Sequence, residues 1–535
     1  MQDSIQLILT PQKAADEQQI KKAVASSLQL PSAAIAAVRI LKRSVDARQR
    51  QIRVLLTVQP VLNGEDLQPQ LPPVCYQDVH ESKRQVVIVG AGPAGLFAAL
   101  TLLEKGIRPV VLERGKEVSE RKRDIALLNR NEGLNPESNY CFGEGGAGTF
   151  SDGKLFSRSK KRGNMQRVME IFCQQGADPR ILYESHAHIG SDKLPSIIRN
   201  IRETILKHGG EVHFESCVTD FEIRDNHITT VITTDGRRYE GEAIILAIGH
   251  SAHDTYRMLA AKGIRLESKG FAMGVRLEHP QRLINRLMYH LDGSTAMNDE
   301  TVALLGNASY SLVTQVEGRG VYSFCMCPGG HIVPAGSEQE GCVVNGMSAS
   351  LRNSPYANSG MVVEIREEDV RGEDKPWNKT EDYKSSDDGM SGLRFQEWVE
   401  HLAYQHGEQP NKAPAQRMKD FTEGRLSKDL PVCSFLPGLV NSRLDEWLPS
   451  MIGRRLQQGF RDFDRKYPGF LTNEAVVVGV ESRSSSAVRI PRDKETLSHP
   501  DVRNLYPAGE GAGYAGGITS SALDGINAAM KIVGL

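Results

Sequence analysis

No stretch of the 535-residue sequence is apolar for long enough to cross a bilayer, and a mean hydropathy of -0.36 agrees. Charge of one sign is not in excess either. The balance of 65 basic against 66 acidic residues excludes a generally nucleic-acid-coated protein and leaves only local patches open. The opening "MQDSIQLILT" has no basic leader and no small-residue cleavage site, so no secretory signal is expected. The eight cysteines are scattered except for Cys325 and Cys327, which suits a reducing cytoplasm better than a disulfide scaffold. A metal site on that C-x-C pair lacks two further ligands at suitable spacing, so no metal is expected. There is no internal repeat.

What is present reads as several units. Residues 1–80 alternate and then turn helical in the order strand, helix, strand, strand ("SIQLILT", "ADEQQIKKAVASSLQL", "AAVRILKRSVD", "RQIRVLLTVQPV"), which predicts a small α+β domain followed by a linker. Residues 84–270 begin a β-turn-α-β pattern. A mixed α+β segment spans 271–475, with a polar, charged excursion at "REEDVRGEDKPWNKTEDYKSSDDGMSG". Residues 476–535 return to a strand, a Gly-rich turn and a helix.

The decisive stretch is "RQVVIVGAGPAGLFAALTLLEKGIRPVVLERG", residues 84–115. An apolar strand runs into Gly90, Gly92, Pro93, Ala94 and Gly95, and an apolar helix follows. The first glycine permits the tight turn, the second lets backbone approach a pyrophosphate, and the third lets helix pack on strand. The helix N-terminus offers free N–H groups to phosphates. Glu113, 18 residues beyond Gly95, is placed to accept ribose hydroxyls, with Arg114 beside it; an acid there disfavours a 2′-phosphate. Glycine spacing alone is weak, since "GEGGAG" (Gly143, Gly145, Gly148) and "GAGYAG" (Gly511, Gly513, Gly516) share it. The strand, helix and acid around the first copy make it a dinucleotide site.

Two later segments favour FAD over NAD. "EAIILAIGH" is an apolar strand ending at Gly249. "NLYPAGEGAGYAGGITSSALDGINAAMKIV" carries a Gly509–Glu510 pair, a glycine turn through Gly517, and a helix starting near Ile518 whose dipole would face the flavin N1–C2=O edge. An NAD dehydrogenase has no need of such a return.

The runs "FGEGGAGTFSDGKL", "HIGSDKL", "AIGHSAHDTYRML", "FAMGVRLEHPQ", "GRGVYSFCMCPGG", "ESRSSSAVRI" and "LYPAGEGAGYAGGITSSALDGI" cover most of the chain after residue 84. With "RSVDARQRQI" they resemble a bacterial family of uncharacterised FAD-dependent dehydrogenases, distantly similar to geranylgeranyl reductases. The resemblance implies a glutathione-reductase-type, Rossmann-like FAD-binding α/β domain interrupted by a mixed α+β substrate domain and preceded by the small N-terminal domain. It implies a flavoprotein oxidoreductase and names no substrate.

Candidate site residues follow. In "FGEGGAGTFSDGKL", Gly146, Ala147, Gly148 and Thr149 can turn N–H groups toward phosphate or flavin, and Lys154 can sit near the flavin or a substrate anion; a polar turn capped by Asp152 competes. Val218 and Arg483 are expected cofactor contacts, a plain turn being the alternative around Arg483. His250 is a candidate proton relay, or else sits at a helix cap. Arg276 is either a carboxylate-binding arginine or the ion-pair partner of Glu278 on one strand face. Ser191 or Asp192 is expected to cap the helix that follows. Cys325 and Cys327 share a strand face and read by default as buried apolar thiols.

The chemistry expected is hydride transfer between FAD and an organic substrate. No second nucleotide-binding unit of NADPH quality exists, so NADH or NADPH would dock transiently as reductant, or another protein would supply electrons. Two alternatives stay open. One is an RNA-modifying flavoprotein using the basic N-terminal unit, where residues 1–60 hold nine Lys/Arg against four Asp/Glu, together with "SRSKKRGNMQR"; interleaved aromatics for base stacking are absent, so nucleic acid is not the expected partner. The other is a flavin redox sensor with a protein partner at residues 1–80.

Overall fold

The computed structural model describes residues 4–65, 71, 73–155, 163–291, 300–381, 385, 388–408 and 412–534. The basic run at 157–162 and parts of the linker and of the charged excursion lie outside them. The N-terminal unit is a three-stranded antiparallel sheet of Ile5–Leu9, Ile35–Asp46 and Arg53–Leu62, with the last of these in the middle. Helix Glu17–Leu28 covers one face. Asp16 caps it by accepting the N–H groups of Gln18 and Gln19, and Ile20, Val24 and Ala25 are buried. A short helix at Pro11–Ala15 precedes it.

The nucleotide half is built on a five-stranded parallel sheet. Its order is Leu505–Pro507, Ala243–Leu246, Gln85–Val89, Arg108–Leu112, Glu211–His213. Strands from the two ends of the chain therefore meet in one sheet. Gln85–Val89 and Ala243–Leu246 are continuous apolar runs because both of their faces are covered. Helix Pro93–Glu104 is apolar all round for the same reason, lying between the sheet and the C-terminal helix Ile518–Val533. A Cβ on Gly525 would stand 1.9 Å from the Ala94 carbonyl oxygen, so the two helices touch backbone to backbone where glycine permits it.

The middle region is a seven-stranded sheet in the order Val313–Val316, Arg319–Cys327, Tyr356–Ile365, Phe271–Pro280, Val476–Glu481, Ala413–Arg417, Leu439–Asn441. Helices Ser391–His406 and Ser450–Lys466 pack on it through a large core that includes Phe395, Phe421, Phe460 and Phe463. One boundary moves. Residues 476–481, expected to open the second half of the FAD-binding domain, pair instead with Phe271–Pro280 and Ala413–Arg417. "VVVGVE" is buried along its whole length, and such a run fits either sheet equally well by sequence.

Among the described residues no helix is long and apolar enough to cross a membrane.

Candidate FAD-binding site

The strand Gln85–Val89 delivers the chain at Gly90 into a turn that helix Pro93–Glu104 leaves at once. Gly92 is the N-cap, with no side-chain cap, and Pro93 occupies the first turn, where a missing N–H costs nothing. A Cβ on Gly95 would lie 1.9 Å from the Gly90 carbonyl oxygen, which fixes that position as glycine for packing alone. Gly92 is different. A Cβ there would find only the Gly146 Cα, at 3.9 Å, so the space above it is open.

A second uncapped helix start lies close by. Gly517, at φ 140°, is the N-cap of Ile518–Val533, again with no side-chain cap, and a Cβ on Gly516 or Gly517 would meet nothing within 4 Å. The loop at Gly146–Gly148 joins the two starts: a Cβ on Gly148 would sit 2.9 Å from Ile518 and 3.8 Å from Pro93. Gly145 ties this loop to the first turn by donating its N–H to the Ala91 carbonyl at 2.8 Å. Gly90–Gly95, Gly146–Thr149 and Gly517–Ile518, which lie far apart in sequence, therefore share one place. Two helix N-termini with free N–H groups and no Cβ in front of them make a cradle for an extended, anionic ligand.

Glu113 stands at the end of Arg108–Leu112 and is buried. Its carboxylate accepts the N–H groups of Ala91 at 2.8 Å, Gly115 at 2.9 Å and Gly143 at 2.9 Å. Ribose hydroxyls were the expected donors. The backbone takes three of its roughly four acceptor positions, making it first a latch across three loops. Arg114 pairs with Glu137 at 2.7 Å and Asp254 at 2.9 Å and lies over the Phe142 ring at 4.2 Å. Val218 opens the strand Val218–Arg224 and packs into the apolar cluster behind Leu112. The N–H groups of Gly146 and Thr149, expected to face the ligand, are used inside the turn, bonded to the carbonyls of Gly143 and Gly146. A loop this tight closes on itself.

Arg121 is a residue that sequence reasoning missed. It is fully buried, and its guanidinium donates to the carbonyls of Asn139, Tyr140, Gly143, Glu144 and Gly146 at 2.8–3.2 Å. Burial pushes it down to about 10. It shapes the glycine loop from behind, yet "SERKRD" reads as an exposed charged helix face.

The return segment meets the cradle at Gly249 and Gly511, where a Cβ on Gly511 would be 2.3 Å from the Gly249 carbonyl oxygen. The Tyr256 hydroxyl fastens this contact by donating to the Gly511 carbonyl at 2.7 Å. Gly509 donates its N–H to the buried Asp524 at 2.8 Å. Glu510 and His250 face each other at 4.0 Å, and His250 is also 3.1 Å from Ser251 Oγ. Burial, then the charge of Arg483, push His250 down to about 3, so it is neutral throughout the physiological range. Burial pushes Glu510 up to about 7, partly offset by Lys269. Of the two groups, Glu510 is the one with a proton to exchange near neutrality.

The middle sheet holds the remaining candidates. Arg276 is fully buried and pairs with Glu481 at 3.1 Å, on the neighbouring strand. It does not pair with Glu278, although both share the strand face. Glu278 accepts from the N–H and hydroxyl of Ser434 instead. Arg483 pairs with Glu400 at 2.7 Å and donates to Ser337 at 2.7 Å, within the middle region. Lys154 lies against Cys325 and Cys327. Asp152 pairs with Arg352 rather than capping its own turn. Asp192 accepts from Ser350, and the following helix starts at Lys193 with no side-chain cap.

Three family models match the chain: an FAD binding domain over residues 83–240, the C-terminal domain-like part of FAD-dependent proteins over 270–484, and a domain of unknown function over 1–60. A Clostridium beijerinckii protein described as "Uncharacterized protein" is 38% identical over 532 residues, 96% of this chain and 95% of that one. Among solved structures, E. coli quinol fumarate reductase FrdA is similar at 11% identity and a TM-score of 0.34, over 84% of this chain and 70% of that one. CtdE in complex with FAD is similar at 11% identity and a TM-score of 0.30, over 84% of each chain. The chain belongs to the family of uncharacterised FAD-dependent proteins, and FAD is its cofactor.

Proposed function

We propose that the protein is an oxidoreductase that moves hydride between FAD and an organic substrate. The observation that carries this reading is the meeting of two uncapped, Cβ-free helix starts at one glycine loop. In it, the Gly92–Pro93 start holds the pyrophosphate, the Gly146–Gly148 turn walls the space beside it, and the Gly517–Ile518 start faces the flavin N1–C2=O edge. Glu113 sets the spacing of the loops around the adenosine end. Bound FAD supplies two-electron acceptor and donor chemistry.

The substrate side is an open cleft of about 810 Å³ between the glycine turn and the middle sheet. Gly516 lines it with Ser484, Ser485, Phe271, Tyr322 and Phe324, and the charged residues Glu364, Arg366, Glu367, Glu368 and Arg371 complete the lining. Its aromatic residues beside charged side chains of both signs suit a small molecule that carries an apolar part together with charged or hydrogen-bonding groups. Glu510 would hold or release the proton that accompanies transfer, and neutral His250 would orient it. Anaerobic titration of the FAD-loaded protein tests the reading. The expected result is loss of the oxidised-flavin spectrum with NADH or NADPH and its return with an organic acceptor. A flavin reducible by dithionite that answers to neither nicotinamide nor any acceptor in a broad panel would contradict it and favour a redox sensor.

Glu510 gives this reading a pH signature. Burial pushes its carboxyl up to about 7, above the usual carboxylate range, and the negative pyrophosphate would raise it further. FAD binding above pH 7 would then take up a proton, so Kd should rise by up to about tenfold per pH unit as pH climbs through 7. His250, at about 3, is outside that window. Glu510→Gln should make the dependence flat, as measured by fluorescence titration from pH 6 to 9.

A further inference from the structure

The C-x-C pair lies in unusual surroundings. The strand Arg319–Cys327 runs in register with Tyr356–Ile365 as far as Phe324, then shifts before Cys327. Cys325 takes φ 47°, a left-handed conformation that a side-chain-bearing residue rarely adopts. Lys154 Nζ is 3.9 Å from Cys325 Sγ and 3.8 Å from Cys327 Sγ, and donates to the Met326 carbonyl between them. Arg276 Nη2 is 3.5 Å from Cys327 Sγ and donates to the Cys325 carbonyl at 2.8 Å. Two thiols and two cations therefore share one largely buried site. Asp152 with Arg352, and Glu481 with Arg276, complete its charges.

Apolar thiols look different in the same molecule. Cys342 is buried with no cation in contact among the described residues, and burial pushes its thiol up to about 12. At the pair, the hydrogen bond from Cys327, with Lys154 and Arg276 behind it, moves the Cys325 thiol down, and the shared proton moves Cys327 up. One thiolate and one thiol side by side is the arrangement from which a disulfide forms.

The pair also adjoins the flavin end of the cradle. Leu155, next to Lys154, accepts from Thr519 Oγ1 at 2.7 Å in the first turn of Ile518–Val533. Phe324, next to Cys325, lines the cleft together with Gly516. We propose that Cys325 and Cys327 are a redox-active dithiol that exchanges two electrons with the flavin, with Lys154 positioning the Cys325 thiolate. This rests on the placement of the flavin at Gly517–Ile518 given above. In the step, an S–S bond forms between Cys325 and Cys327 as the Cys327 S–H bond breaks. The electron pair and that proton go to oxidised FAD, giving the anionic reduced flavin, and one negative charge stands on each side of the equation. The reverse step opens the disulfide to thiolate and thiol.

The test uses the FAD-loaded full chain, oxidised with diamide, freed of excess and titrated anaerobically with dithionite. The wild type should accept about four electrons per flavin, two for the disulfide and two for FAD, and Cys325→Ser and Cys327→Ser should each accept about two. Peptide mapping of the oxidised wild type should show 325 joined to 327, which needs no variant to fold. Lys154→Met should keep the four-electron capacity while moving the pH midpoint of Cys325 alkylation by iodoacetamide upward. Two-electron uptake by a flavin-replete wild type, with both cysteines still alkylated after diamide, overturns the proposal. A protein that refuses FAD overturns the flavin placement and this exchange with it, so the two failures are distinguishable.

Discussion

Glu113→Ala should release the flavin and lower stability by about 3–5 kcal/mol, since three buried N–H groups lose their acceptor and each such loss costs about 1–3 kcal/mol before relaxation. Those groups belong to Ala91, Gly115 and Gly143, so one truncation loosens the first glycine turn, the ribose-side turn and the second glycine loop together. Glu113→Gln sharpens the argument. Its amide oxygen can keep two of the acceptances, while its NH₂ faces the third donor, so a loss of about 1–3 kcal/mol is expected. Urea unfolding of the apo forms checks the order: parent, Gln, Ala. Flavin absorbance per chain, measured on the same preparations after FAD loading, should fall in that order too. An alanine variant as stable and as yellow as the parent would show that the latch does not organise the cradle.

The nucleotide half was legible because its signals are local. An apolar strand, three glycines at fixed spacing and an apolar helix occupy residues 85–104, and the physics of close backbone approach dictates each of them. Gly517 and Ile518 were legible for the same reason, since a glycine run before an apolar helix marks a start without a cap. The side-chain partners were not. Arg276 and Glu278 lie two apart on one strand face, which leaves an ion pair between them and a carboxylate-binding arginine as equal readings. The structure instead gives Arg276 to Glu481, on the adjacent strand and 205 positions away. Cross-strand geometry decides that choice, and only the sheet order reveals it.

Arg121 shows the same gap more sharply. In sequence it is one charge among five in "ERKRD", whereas in the fold it is wholly buried and spans five carbonyls of a loop that begins 18 residues later. Nothing in helical periodicity distinguishes it from Lys122 or Arg123. The C-x-C pair was visible as a pattern, but its meaning depends on Lys154, 171 positions from Cys325. The boundary at residue 476 failed for a related reason, because a fully buried strand carries no mark of the sheet it joins.

The claim on which the rest stands is that the open space above Gly92 belongs to the FAD pyrophosphate. Gly95 cannot test it, because a side chain there would strike the Gly90 carbonyl whether or not a ligand is bound. Gly92 can. Its φ of -77° suits any residue, and a Cβ has no protein atom nearer than 3.9 Å, so Gly92→Val should fold with an unfolding midpoint close to the parent's. The equilibrium Kd for FAD, measured on apoprotein by fluorescence titration, should rise at least about a hundredfold, a loss of about 2.7 kcal/mol. A folded Gly92→Val that binds FAD as tightly as the parent would place the dinucleotide elsewhere and contradict the account.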